Sequence, residues 1–199
     1  AQQVANMKST FKWSDVGLQD GEPTVLIFGG SQGAPAINKA VIGAVSELNK
    51  RQYQVVFVTG QKRYQNVMNL LDKTRISSNI KILPYINNMP QVLPKVSLIV
   101  GRSGATSIAE ITALGIPAVL IPSPYVTADH QTKNTMSLVN RGAALMIKQD
   151  DLNPKSLLKA VDQLMHDSTA REKMAENSKQ LGVVDSADEI LNLARTLIK

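Results

Sequence analysis

The sequence contains no cysteine and only two histidines among 199 residues. Without thiols there is no disulfide framework and no thiolate metal site. His130 and His166 stand far apart in the chain, so a histidine-based zinc centre is not expected either. Aromatic residues make up 4% of the chain, too little to stack single-stranded bases. No apolar run approaches the ~20 residues that cross a bilayer. No run of five cations occurs: basic residues outnumber acidic ones by 22 to 16, for a net charge of +6, but they are scattered. That pattern reads as a solvated basic surface rather than a nucleic-acid groove. No Asp-x-Asp offers a carboxylate cradle for a metal–nucleotide complex, and neither Ser31 nor Ser103 precedes an evident His–Asp pair, which disfavours a serine hydrolase. The chain opens Ala1-Gln2-Gln3 without methionine and without a charged-then-apolar leader, which predicts a piece of a longer protein and not a secretory signal. What is present is 43% hydrophobic residue, enough for the core of one α/β domain or at most two very small ones, with a reducing cytosol as the default expectation.

Short β-branched runs recur at 25–28, 55–58, 80–83, 97–100, 118–121 and 144–147. They are apolar throughout, as in strands covered on both faces. Helical spacing fills 37–48, 64–71, 106–114 and 129–140, and Gly142 is placed to end the last of these. Asn153-Pro154 reads as an N-cap with proline at N1, opening a helix through about 165. Two further helices are expected at roughly 168–180 and 186–198. Alternation of strand and helix predicts a Rossmann-like, doubly wound parallel sheet of six strands with right-handed connections. Residues 1–21 are polar and weakly patterned, and read as a connecting segment with one short amphipathic piece around 11–16. Residues 22–199 are expected to form one domain.

In such sheets ligands bind beyond the carboxyl ends of the strands. After the first strand comes Gly29-Gly30-Ser31-Gln32-Gly33-Ala34. Gly30 and Gly33 permit a tight turn, the following helix offers free N–H groups to an anion, and Ser31 adds a hydroxyl. It is neither a Walker A loop nor Gly-x-Gly-x-x-Gly, and a plain strand-to-helix turn is the alternative. After the fourth strand, Gly101-Arg102-Ser103-Gly104-Ala105-Thr106-Ser107 repeats the design, with Thr106 or Ser103 available to cap the helix. The two loops together would hold a diphosphate on backbone amides. Glu110 lies about one turn further on, where a carboxylate either grips ribose hydroxyls or balances the helix dipole; spacing alone favours the dipole. Tyr85 and Ile86, after the third strand, form either a slot for a flat base, its edge read by the Ile86 main chain, or a hydrophobic plug. After the fifth strand Asp129 is a candidate N-cap, and Gln131 and Asn134 suit sugar hydroxyls.

These motifs occur in register with Asp129-His130-Gln131-Thr132-Lys133-Asn134. From about residue 24 to the end the chain closely resembles the C-terminal half of the bacterial UDP-N-acetylglucosamine transferases that convert lipid I to lipid II in peptidoglycan synthesis. The resemblance implies the C-terminal domain of an inverting GT-B glycosyltransferase, with UDP-N-acetylglucosamine as donor substrate and no metal cofactor. It implies that Ser31 and the backbone of Ala105, Thr106 and Ser107 bind the diphosphate, with Gly30, Gly33, Arg102, Ser103 and Gly104 around it. Ile86 would bind uracil with Tyr85 beside it, Glu110 the ribose, and Gln131 the sugar with His130 adjacent. The family's catalytic base, its acceptor and membrane surface, and a donor-binding arginine precede this region, so no catalytic residue is expected here and weak donor binding without transfer is expected of the chain alone. Lipid I would be met through the N-terminal domain, at the cytoplasmic side of the cell membrane, peripherally. A split transferase's donor subunit, a nucleotide-sugar sensor and a transferase of another sugar are the competing readings.

Overall fold

The computed structural model describes residues 2–72, 74–126 and 129–183, so the helix expected at 186–198 lies outside the described residues. Six strands form one sheet: β1 (Thr24–Phe28), β2 (Gln54–Val58), β3 (Ile80–Leu83), β4 (Leu98–Gly101), β5 (Ala118–Leu120) and β6 (Leu145–Met146). Their order is β3-β2-β1-β4-β5-β6, and every pairing is parallel. The helices are α1 (Gln2–Ala5), α2 (Pro35–Leu48), α3 (Tyr64–Leu71), α4 (Met89–Val92), α5 (Ala105–Leu114), α6 (His130–Val139), α7 (Pro154–Met165) and α8 (Ser168–Lys179).

The all-apolar strands are explained by two cores, one on each side of the sheet. Side chains alternate across a strand, so Val25 and Ile27 join α2, α3 and α7 in one core, while Leu26 joins α4, α5 and α6 in the other. Phe57 and Val56 divide in the same way on β2. Helix ends follow their local chemistry. Asn153 caps α7 by accepting from the N–H groups of Lys155 and Ser156, both at 3.0 Å, ahead of Pro154. Beyond α6, Gly142 takes φ 64°, and Ala143 N–H reaches back to the Leu138 carbonyl at 2.9 Å.

The amphipathic piece near 11–16 is a single 3-10 turn, Trp13–Val16. Trp13, Leu18 and Val4 are buried in the second core. The Trp13 indole N–H donates to the Lys95 carbonyl at 3.2 Å, and Phe11 meets its ring edge-on at 5.0 Å between centroids.

On the opposite side, Asp162 of α7 accepts both Nε and Nη2 of Arg51, at 2.9 and 2.7 Å, and the Tyr53 hydroxyl at 2.7 Å. Burial alone would raise the Asp162 carboxyl; the bonds from Arg51 and Tyr53 outweigh it and hold it below the ordinary range. Burial, reinforced by Asp162, raises the Tyr53 hydroxyl. A depressed carboxyl stabilises the fold above its unfolded pKa and loses that contribution as pH falls through its folded value. Asp162→Ala is therefore expected to destabilise the domain by about 1–3 kcal/mol at neutral pH, less than for a fully buried pair. Urea titrations at falling pH should show the difference from the unaltered chain shrink in the acid range.

Candidate functional site

The strand order reverses between β1 and β4, where Phe28 pairs with Gly101. From these adjacent tips the chain enters α2 on one face and α5 on the other, which opens a crevice between the two loops. The crevice is a cleft of about 590 Å³. Residues 29–36 form one wall; Arg102, Gly104 and Ser107 form the second; Ser123, Tyr125, Gln131 and Gln149 close it from the β5 and β6 side. The two glycine-bearing loops therefore line one cleft.

Both helices open into the cleft without a side-chain cap. At α2 the N-cap is Ala34, Pro35 follows, and the first helical bond runs from Asn38 N–H to the Ala34 carbonyl. At α5 the N-cap is Gly104 and the first bond is Ile108 N–H to the Gly104 carbonyl. Among the described residues the N–H groups of Ala105, Thr106 and Ser107 consequently have no protein partner. Helices α7 and α8, by contrast, are capped by Asn153 and Asp167. Bare N–H groups plus two helix dipoles give this end of the sheet a positive potential that suits an anion. Gly30, at φ 87°, lines it with open space where a side chain would stand. Residues 29–33 also spell Gly-x-Ser-x-Gly, but among the described residues the cleft lining contains no histidine or carboxylate to activate the exposed Ser31.

Several expectations are corrected. Neither Thr106 nor Ser103 caps α5. Ser103 is fully buried, and its hydroxyl donates to the Gln131 carbonyl at 3.0 Å. A hydroxyl turned into the core must be satisfied there, so the Ser103 hydroxyl ties the α5 loop to α6. Asp129 occupies the N-cap position of α6, but at φ 53° its side chain makes no capping bond. His130 is exposed and does not line the cleft. Asn134 lies in a separate groove beside α5, because the turn between it and Gln131 carries it past the rim. Gln131 does line the cleft, its Oε1 accepting Ser123 N–H at 2.9 Å. Lining residues that sequence reasoning did not single out include Ser123, Tyr125 and Gln149. Each follows a strand, so the strand-tip rule that picked out Ser31 also reaches them.

Tyr85 and Ile86 wall a second groove of about 430 Å³ at the tip of β3, between that loop and residues 10–16. Ile86 is half-buried, and among the described residues its N–H and C=O carry no protein hydrogen bond. Glu110 lines neither the cleft nor this groove; it sits half-buried on α5, one turn behind Ser107, and burial raises its carboxyl above the ordinary range. Burial likewise lowers the Arg102 guanidinium, which nonetheless remains charged.

The doubly wound parallel sheet with an amide-lined crevice at its switch point is a Rossmann-like α/β domain, of the type found as the C-terminal half of GT-B glycosyltransferases. The chain belongs to the glycosyltransferase family 28 C-terminal domain, which matches residues 24–190. It is 58% identical over 197 residues to the UDP-N-acetylglucosamine–N-acetylmuramyl-(pentapeptide) pyrophosphoryl-undecaprenol N-acetylglucosamine transferase of Levilactobacillus brevis, covering 99% of this chain and 54% of that protein. To the protein of the same name from Lactiplantibacillus plantarum it is 56% identical, covering 100% of this chain and 55% of the relative. The crystal structure of Acinetobacter baumannii MurG superposes with a TM-score of 0.79 at 27% identity, covering 97% of this chain and 55% of that one. The chain spans about half the length of the curated relatives it matches.

Proposed function

We propose that this chain is the donor-binding half of the inverting transferase that moves N-acetylglucosamine from UDP onto lipid I, forming lipid II. The observation that carries the reading is the pair of uncapped helix starts facing one cleft at neighbouring strand tips. In this reading the diphosphate rests on Ser31 and on the amides of Ala105, Thr106 and Ser107. Gln131 meets the sugar, the Ile86 main chain meets uracil beside Tyr85, and Glu110 accepts from the ribose hydroxyls. The muramyl hydroxyl of the acceptor, held by the N-terminal half, attacks the anomeric carbon as UDP departs, and the configuration inverts. Amides and Arg102, rather than a metal ion, meet the charge that grows on the leaving diphosphate. Those amides are already aimed and need no rearrangement as that charge develops.

Placement of the whole enzyme at the cytoplasmic face of the membrane, held peripherally, belongs to the same proposal. It is supported by the undecaprenol-linked acceptor in the relatives' name. Among the described residues no helix is long and apolar enough to cross a membrane.

Titration of the chain with UDP-N-acetylglucosamine, UDP and ADP tests the reading. Binding of both uridine ligands with little response to ADP is expected; equal binding of ADP would overturn it. Glu110→Ala should weaken UDP binding by about 1–3 kcal/mol, the worth of charge-assisted hydrogen bonds. Because burial raises the Glu110 carboxyl, it takes up its proton at a higher pH than an exposed glutamate does. Calorimetry should therefore show UDP affinity declining on acidification through that range, and the Ala variant should lack this component.

A further inference from the structure

Three strand tips converge on one cation. Arg102 follows β4, and its Nη1 donates to the carbonyls of Ile121 and Pro122, at 3.1 and 3.0 Å, just beyond β5. Its Nη2 donates to Oε1 of Gln149, at 2.6 Å, just beyond β6. All three acceptors are neutral. Among the described residues no carboxylate forms an ion pair with Arg102, although Asp150 and Asp151 follow Gln149 directly; both are exposed. Arg102 and Gln149 are half-buried, and both line the cleft that holds the two bare helix starts.

This arrangement contrasts with Arg51, which is matched by the carboxylate of Asp162; Arg171 is held by the carbonyls of Leu164 and Met165, but does not line the cleft. A carboxylate is the stronger acceptor for a guanidinium, yet the position beside Arg102 is filled by an amide. An amide fixes the planar guanidinium without cancelling its charge. A carboxylate there would fix it equally well and remove the net positive potential that an anion meets.

We propose that Gln149 is a positioning residue: it orients Arg102 through a neutral acceptor, so that the guanidinium's charge stays available to the diphosphate of a nucleotide sugar. The inference rests on the donor-binding reading above and extends it to a residue that makes its contribution through Arg102. The alternative is a purely structural stitch between the tips of β4 and β6.

NMR-monitored titrations of the chain with UDP and with uridine separate the two, in the unaltered protein, Gln149→Met and Gln149→Glu. Loss of the acceptor in the Met variant should weaken UDP by about 3–10-fold, the range of one ordinary hydrogen bond, because Arg102 is loosened rather than removed. Uridine, which carries no phosphate, should change by less than about two-fold. The Glu variant is the decisive one. It keeps the acceptor and should hold its melting temperature at or above the unaltered value, yet bind UDP at least ~10-fold more weakly because the pair is neutralised. A structural stitch predicts the reverse, with UDP affinity retained by the stronger acceptor. UDP affinity retained in the Glu variant overturns the proposal, and so does an equal loss for UDP and uridine. If the Met variant fails to fold, the Glu variant alone decides. Absence of UDP binding by the unaltered chain is a different result: it removes the donor-binding reading itself, and this inference with it.

Discussion

Replacement of Trp13 by alanine is expected to cost about 3–5 kcal/mol, the range for truncating a large buried aromatic. Trp13 is 4% exposed and belongs to the core beneath β1, β2 and β4. Truncation leaves a cavity between residues 10–16 and the sheet, removes the edge-on contact with Phe11, and leaves the Lys95 carbonyl without its indole donor. Domains of this size are stable by only about 5–15 kcal/mol, so such a loss is a large share of the total. Urea denaturation followed by circular dichroism measures it. A cost below about 1 kcal/mol would mean that the N-terminal segment is a dispensable wrap.

The second large effect is expected at Gly33. Its φ is 69°, and a Cβ there would drive into the Thr59 carbonyl, well inside van der Waals contact, while Gly60 at φ 87° closes against the same stretch of backbone. Gly33→Ala therefore combines left-handed strain with a backbone collision, for about 2–5 kcal/mol. The loop that carries Ser31 can relieve the collision only by moving away from β2, which pulls the Ser31 hydroxyl from the proposed diphosphate seat. A loss of UDP binding of at least ~10-fold is expected on that account, about the worth of one charge-assisted hydrogen bond. Gly30→Ala is the control. Its φ of 87° carries similar strain, but nothing stands within 4 Å of the added Cβ, so a cost near 1 kcal/mol is expected. Thermal melts of the two variants side by side, with a UDP titration of Gly33→Ala, check both statements. Equal behaviour would show that contact with the β2 tip is not what shapes the loop.

The strands and most helices are legible because their signals are local. Val55, Val56, Phe57 and Val58 form an apolar run that only a two-sided burial accommodates, and Asn153-Pro154 marks a helix start by hydrogen-bonding chemistry confined to a few residues. The short pieces around 11–16 and 89–92 are weak in pattern because tertiary packing holds them: Trp13 leans on Lys95, and Gln91 is engaged by Ser9 and Thr10. Polar residues are the hardest to assign. Ser103 and Ser31 look alike as small hydroxyls in glycine-bearing loops, yet one is fully buried against Gln131 and the other is exposed at the cleft. Asn134 suits a sugar on chemistry and is turned to another groove by its place on α6.

By itself the amino-acid sequence determined an alternating α/β chain, its strand-tip loops and its family likeness. Periodicity, turn chemistry and helix starts depend on neighbours a few residues apart. Only the tertiary structure decided that β1 lies beside β4, that their loops share one cleft, and that Arg102 is gripped by the tips of β5 and β6. Those facts depend on pairing between segments remote in the chain. Packing both sheet faces at once selects that pairing, and no local pattern encodes it.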